Sequence, residues 1–180
     1  MKFLCSFCCK KKKNKGVYVI KLESNKYYVG QSNNINKRLW VHENGGGSSW
    51  TKKYSMVSRE GTITKIQSYF WELSETLEQM AIHGIDNVRG SMFTNPNNLS
   101  RKDKIYAAQL FCEMKDLCRK CGKDNHYISS CNSKSKASWV SNFGGELEMT
   151  TTHNKNCINC YKDISKYPNH YILCPTCYKS

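Results

Sequence analysis

The chain lacks any run approaching the roughly 18 consecutive apolar residues that would cross a membrane as a helix. It also lacks a recognisable secretory signal. The opening Met1-Lys2-Phe3-Leu4-Cys5-Ser6-Phe7-Cys8-Cys9 is too short for an apolar signal core and runs straight into Lys10 to Lys13. Acidic residues are scarce, 14 against 28 lysines and arginines, for a formal charge of +14. That imbalance points to a polyanionic partner, nucleic acid or an acidic membrane surface, and charge alone does not choose between them. Aliphatic side chains thin out beyond Cys118, so the C-terminal part needs something other than a hydrophobic core to hold it. The run Gly45-Gly46-Gly47-Ser48-Ser49 has no following Lys-Ser/Thr and no buried strand before it, which excludes a phosphate-binding loop.

Cysteine, by contrast, is abundant: eleven in 180 residues. Without a secretory signal, the expected use is thiolates held on metal in an intracellular, reducing compartment. Cys118, Cys121, His126 and Cys131 follow the spacing C-x2-C-x4-H-x4-C. Three thiolates and one imidazole close a tetrahedral zinc shell with no open position, so the ion is expected to be structural. Gly122, directly after the second cysteine, permits the sharp turn that brings backbone amides toward the sulfurs. These ligands and the glycine resemble a zinc knuckle, which implies binding of single-stranded nucleic acid through aromatic and basic side chains. Tyr127, Arg119, Lys120 and Lys123 are placed for that.

Cys157, Cys160, Cys174 and Cys177 form two C-x2-C pairs with 13 residues between them, the spacing of a four-cysteine zinc ribbon. A second structural zinc is expected there; His153 and His170 could stand in for one of its ligands, and exposed loop histidines are the plainer reading of both. Cys112 lies in an apolar helical stretch and reads as a buried, inert thiol. Cys5, Cys8 and Cys9 abut four lysines. Three readings stand for that segment: an acylated membrane anchor with a polybasic patch, a basic nucleic-acid arm, and a tail without a specific role.

The aliphatic-rich part lies between Gly16 and Leu99. Val17 to Leu22 is rich in β-branched and aromatic residues and predicts a buried strand. Glu23-Ser24-Asn25-Lys26 is a turn, and Lys26 to Gly30 returns as the second strand of a hairpin. Asn33-Asn34 then supplies a helix start, with Ile35, Leu39 and His42 at helical spacing. Arg38 and His42 are four apart and share a face. A third strand is expected near Ser55 to Ser58 and a helix near Leu73 to His83. Glu72, Glu75 and Glu78, spaced by three, trace one side of that helix, where a solvated face is the plainer reading.

Gly16-Val17-Tyr18, Tyr28-Val29-Gly30, Arg38, His42 and the glutamate-bearing helix together resemble the GIY-YIG nuclease domain. The resemblance covers roughly residues 15 to 95, with Val in place of Ile in both triplets. Gly84 to Gly90, followed by a helix and the knuckle, resembles an arrangement in GIY-YIG proteins of large DNA viruses. The resemblance implies a small α+β fold: a three-stranded antiparallel sheet flanked by helices, here followed by two small zinc-binding modules. It implies one catalytic divalent ion, Mg²⁺ or Mn²⁺, held by a carboxylate. Tyr18 or Tyr28 would face the scissile phosphate and deprotonate the attacking water. Arg38 would stabilise phosphoryl charge, and His42 would assist proton transfer or position water. Glu75 is the expected carboxylate, because it precedes Leu77 and Met80 as the family's metal-binding glutamate precedes its core residues. Glu72 and Glu78 stay open, and Asn87 is either a polar partner of the site or an ordinary turn residue.

The expected organisation is a basic, cysteine-rich tail (1–14), a nuclease-like domain (15–99), a connecting helix (100–117), the knuckle (118–131), a linker (132–156) and the four-cysteine module (157–180). The function implied is metal-dependent hydrolysis of DNA, structured or single-stranded, aided by the zinc modules; RNA is also compatible. The alternatives are a non-catalytic nucleic-acid-binding protein that keeps the fold and a membrane-tethered interaction protein.

Overall fold

A computed structural model of the chain describes residues 16–63 and 70–148. The tail cysteines Cys5, Cys8 and Cys9, His153, His170 and the four-cysteine set Cys157, Cys160, Cys174 and Cys177 lie outside the described residues. Among the described residues, no helix is long and apolar enough to cross a membrane.

Strand β1 (Gly16–Leu22) is buried along nearly its whole length. A three-residue turn, with Ser24 and Asn25 at φ of 56° and 53°, returns the chain as β2 (Lys26–Ser32). The two strands pair antiparallel from Gly16 opposite Ser32 to Leu22 opposite Lys26. Helix α1 (Ile35–Glu43) starts where the side chain of Asn34 accepts from Lys37 N, a cap worth about 1 kcal/mol. A short helix, α2 (Ser49–Lys53), leads into β3 (Met56–Ile63), which pairs antiparallel with the other edge of β1.

Helix α3 (Trp71–His83) is followed by the two-residue β4 (Val88–Arg89) and by α4 (Arg101–Lys115). The start of α4 is closed by a reciprocal box between Ser100 and Asp103. The sheet order is β3-β1-β2-β4, and β4 runs parallel to β2, with Tyr27 opposite Val88 and Tyr28 opposite Arg89. The expectation of a three-stranded antiparallel sheet is therefore corrected to a four-stranded mixed one. A two-residue strand is too short to show a period-two pattern, which is why it escapes a sequence reading.

Alternation along β1 and β2 builds two clusters. Tyr18, Ile20 and Leu22 pack with Ile35, Leu39 and Trp50 of the first two helices. Val17, Val19, Tyr27 and Val29 face the opposite cluster, with Leu77 and Met80 of α3 and Ala107, Ala108 and Phe111 of α4. This second cluster includes Val140, Phe143 and Leu147. Composition had placed those three residues in a linker. The surrounding Ser, Asn, Thr and Lys mask a short apolar stretch, in which Trp139 and Phe143 both pack on Phe111 at centroid separations of 4.8 and 5.5 Å.

Arg89 is only 1% exposed. Its guanidinium donates to the carbonyls of Asn95 (2.6 Å), Ile85 (2.9 Å), Val88 (2.7 Å) and Asn97 (2.7 Å), and lies 4.3 Å from the centre of the Trp50 ring. Burial of a cation is costly, and burial is the main reason its pKa is lowered. Four carbonyl dipoles and an aromatic face offset that cost. Arg89→Ala strands these carbonyls and is expected to lower stability by about 3–4 kcal/mol. Arg89→Lys should recover little, because one ammonium cannot reproduce a planar fork of donors. Urea unfolding of the two variants measures both effects.

Candidate active site and metal cluster

Both phenols of the paired triplets project to the α1 side of the sheet. Tyr18 pairs with Gly30 across the hairpin, and Tyr28 precedes Gly30 by two. The Tyr18 ring lies over Gly30 so closely that a β-carbon there would come within 2.4 Å of its hydroxyl. The glycine of the second triplet is thus the space into which the first triplet's tyrosine fits. The ring centroids of Tyr18 and Tyr28 are 6.3 Å apart, and each lies within 6 Å of the His42 ring, at 5.7 and 5.4 Å.

Helix α1 brings two groups to these phenols, one turn apart as expected. Arg38 Nε donates to Tyr18 Oη at 3.4 Å, and Tyr18 Oη meets His42 Nε2 at 2.9 Å. On the far side of the imidazole, Nδ1 meets Thr51 Oγ1 at 3.2 Å. The Thr51 hydroxyl has a carbonyl acceptor of its own at Ser48 O, 3.1 Å away, so it accepts from Nδ1–H. That fixes Nε2 as the acceptor of the Tyr18 O–H. The contact depends on Gly47, where φ is 111° and a β-carbon would fall 2.4 Å from His42 Nδ1. Thr51 and the short helix α2 that carries it are not legible in the sequence, since no local pattern joins Thr51 to His42 across a glycine run.

Burial holds the two phenols and the imidazole neutral at rest beside the charged Arg38. Burial, with the nearby Tyr28, pushes the Tyr18 phenol up to about 12, against the pull of Arg38. Tyr28 is raised by burial and then by the charge of Glu72, against Arg38 and Ser48. Burial and the Arg38 charge bring His42 down to about 4. The Arg38 guanidinium is raised, chiefly by its hydrogen bond to Tyr18.

Of the three glutamates, Glu72 is the one whose charge acts on both phenols. It lines an open cavity of about 340 Å³ together with Gln31, Ser32 and Asn33, and its Oε1 accepts from Ser91 N at 2.9 Å. Glu75 instead accepts from Gln79, one turn along its own helix, at 2.9 Å. Glu78 pairs with Lys115 of α4. Asn87 is a turn residue: its amide donates to His83 O at 2.7 Å and accepts from Lys26 Nζ at 2.7 Å.

At the end of α4, the ligand atoms of Cys118, Cys121, His126 and Cys131 lie within 4.8 Å of one another, a group that can hold a metal ion. Cys118 O accepts from Gly122 N at 2.7 Å, with Gly122 at φ 75°, which closes the expected turn. His126 Nδ1 donates to Asp124 O at 2.9 Å, leaving Nε2 directed at Cys121 Sγ, 3.2 Å away. Burial opposes ionisation of the Cys118 thiol, but the N–H groups of Cys121 and Lys120 and the neighbouring thiols bring it down to about 7. Tyr127 and Ile128 stand exposed beside the cluster. Arg119 pairs with Glu113, and Lys123 donates to Ser133 and Ser135.

The cluster is docked on the core. Trp139 Nε1 donates to Gly122 O at 2.8 Å, Ala137 N donates to Cys121 O at 2.7 Å, and a β-carbon on Gly122 would meet Trp139 and Val140 at 2.8 Å.

Residues 14–80 match the family model described as the GIY-YIG catalytic domain. Among curated proteins, the UPF0213 protein YazA of Bacillus subtilis (strain 168) is 28% identical over 91 residues, which covers 46% of this chain and 92% of that protein. No solved structure matches the chain. The matched segment holds Tyr18, Tyr28, Arg38, His42 and Glu72, and ends before the cysteine cluster.

The neutral, buried His42 ties stability to pH. Unfolded, it takes up a proton near 6.5; folded, only near 4. Between these values the unfolded state binds more protons, so stability falls as the pH drops through that window. The expected loss is about 3 kcal/mol. Urea unfolding across the window should show it in wild type and not in His42→Asn; equal slopes would mean that another group titrates.

Proposed function

We propose that the protein is a divalent-metal-dependent endonuclease that hydrolyses DNA phosphodiester bonds, with zinc in the cysteine cluster and a nucleic-acid contact surface beside it. The observation that carries this reading is the hydrogen-bonded set Thr51–His42–Tyr18–Arg38, with Tyr28 and Glu72 alongside. A module that only binds nucleic acid has no need of a buried phenol aligned on a neutral imidazole. The match to a catalytic-domain family and the charge of +14 support both the chemistry and the polyanionic substrate.

In this reading Tyr18 is the proton acceptor. Its pKa is far too high for a resting phenolate, so it works as a relay. As the water oxygen bonds to phosphorus and the P–O bond to the leaving oxygen breaks, the hydroxyl takes the water's proton and passes its own to His42 Nε2; His42 then releases it to solvent, from which the leaving oxygen is protonated. Thr51 keeps the imidazole in the tautomer that can accept. Arg38 stays charged throughout, stabilises the oxygen of Tyr18 and lies within reach of a phosphoryl oxygen at the same point. Tyr28 walls the other side of the phosphate.

The oxygen donors of Glu72, Gln31, Ser32 and Asn33 around one open cavity suit Mg²⁺ or Mn²⁺, which prefer such ligands and keep several waters. A bound ion there supplies neutralising charge to the phosphodiester. Glu72 takes this role in place of Glu75.

Cleavage assays in Mg²⁺ should show Tyr18→Phe, Arg38→Ala and Glu72→Gln each slowed by about 100-fold or more, with Glu75→Gln close to wild type. Full activity of Arg38→Ala would sink the catalytic assignment. An inactive Glu75→Gln beside an active Glu72→Gln would return the carboxylate role to Glu75.

Three sulfurs and one imidazole at the spacing of a closed tetrahedron favour structural zinc at Cys118, Cys121, His126 and Cys131. A second zinc at Cys157, Cys160, Cys174 and Cys177 belongs to the same proposal. Elemental analysis should find two zinc ions per chain. Stripping them should shift Trp139 emission, because that indole bonds to Gly122 within the cluster; unchanged emission after complete removal would show that the metal does not hold this turn.

A further inference from the structure

The family match ends at residue 80, yet the carboxylate of Glu72 is held by a residue beyond it. Strand β4 runs directly into a tight turn, in which Gly90 N donates to Phe93 O at 3.2 Å and Phe93 N to Gly90 O at 2.9 Å. Ser91 is its first corner, at φ 49°. A residue with a β-carbon enters this left-handed region at a cost, and such strain is often kept where geometry matters to function. In this conformation the Ser91 N–H donates to Glu72 Oε1 at 2.9 Å.

Both ends of the turn are pinned. Phe93 is buried in the core. A β-carbon on Gly90 would come within 2.6 Å of Thr76 Oγ1 and 2.7 Å of Val29 O, so only glycine lets the turn sit this close to α3 and β2. Thr76 is itself fully buried and donates to Glu72 O at 2.6 Å. The same few residues therefore hold the backbone that carries Glu72 and the loop that meets its carboxylate.

We propose that the turn from Gly90 to Phe93 is a positioning element of the divalent-metal site. The Ser91 N–H occupies one oxygen of Glu72 and leaves the other for an ion in the cavity shared with Gln31, Ser32 and Asn33. A glutamate on a helix surface samples several rotamers; committing one oxygen to a fixed donor orients the carboxylate before the ion arrives. Outer-shell partners of this kind typically set metal affinity by about 10- to 100-fold. The inference rests on Glu72 being the metal ligand.

The test uses the full-length protein and two readouts other than cleavage. In the first, Mg²⁺ is titrated while the backbone amide resonance of Ser91 is followed by NMR. It should shift with Mg²⁺ in wild type and not in Glu72→Gln. In the second, Mn²⁺ affinity is measured by electron paramagnetic resonance for two Ser91 variants. Ser91→Gly keeps the N–H and tolerates the positive φ, so it should bind within about twofold of wild type. Ser91→Val resists that φ and should bind about tenfold more weakly, with thermal unfolding confirming that it folds. If it does not fold, the NMR titration of wild type decides. A Ser91 amide that ignores Mg²⁺ while Glu72→Gln abolishes binding would overturn the role of the turn and leave Glu72 in place. Wild-type Mn²⁺ affinity in Glu72→Gln would remove the ligand assignment and the inference with it.

Discussion

Strand β1 is paired on both edges and covered on both faces, and the other elements take their positions from that constraint. Its odd and even residues serve two different cores, so a single seven-residue strand decides which helices lie on which side. Tyr18 falls on the α1 face, where burial keeps the phenol and imidazole uncharged and the glycine opposite leaves room for the ring. The chemistry follows from the packing. Exposed phenols and imidazoles would keep ordinary acidities, whereas here desolvation raises the one and lowers the other until a hydrogen-bonded neutral pair is the stable state.

Much of this is written in local patterns. The β-branched run Val17 to Leu22, the turn at Ser24-Asn25 and the Asn34 cap each fix their elements through nearest neighbours, and Arg38 and His42 share a face by helical geometry alone. What stays hidden depends on contacts across the chain. Glu72 and Glu75 differ by only about 60° around a helix, so the rotation of α3 on the sheet, set by Leu77 and Met80, decides which one lines the cavity with Gln31, Ser32 and Asn33. The Thr51 contact is licensed by Gly47, whose role shows only once two helices are in place. Strand β4 and the six-residue 3-10 helix Ser138–Phe143 are too short to announce themselves by periodicity.

The two candidate ion sites divide by chemical hardness. Around Glu72 the cavity is lined by a carboxylate, a hydroxyl and two amides; at the end of α4 the ligand atoms are sulfur and imidazole nitrogen. Ligand sets this different favour different classes of cation, hard ions on oxygen and softer ones on thiolate and imidazole.

The contact between Gly122 and Trp139 bears on how such a protein is inherited. A finger held on by a flexible tether can be gained, lost or exchanged by recombination, because its border crosses nothing. Here the border between cluster and domain runs through an indole hydrogen bond, a glycine with no room for a side chain and the packing of Trp139 and Phe143 on Phe111 of α4. An exchange that preserves these contacts has to carry the stretch from Cys118 to Leu147 with the cluster, so cluster and core are tied to change together.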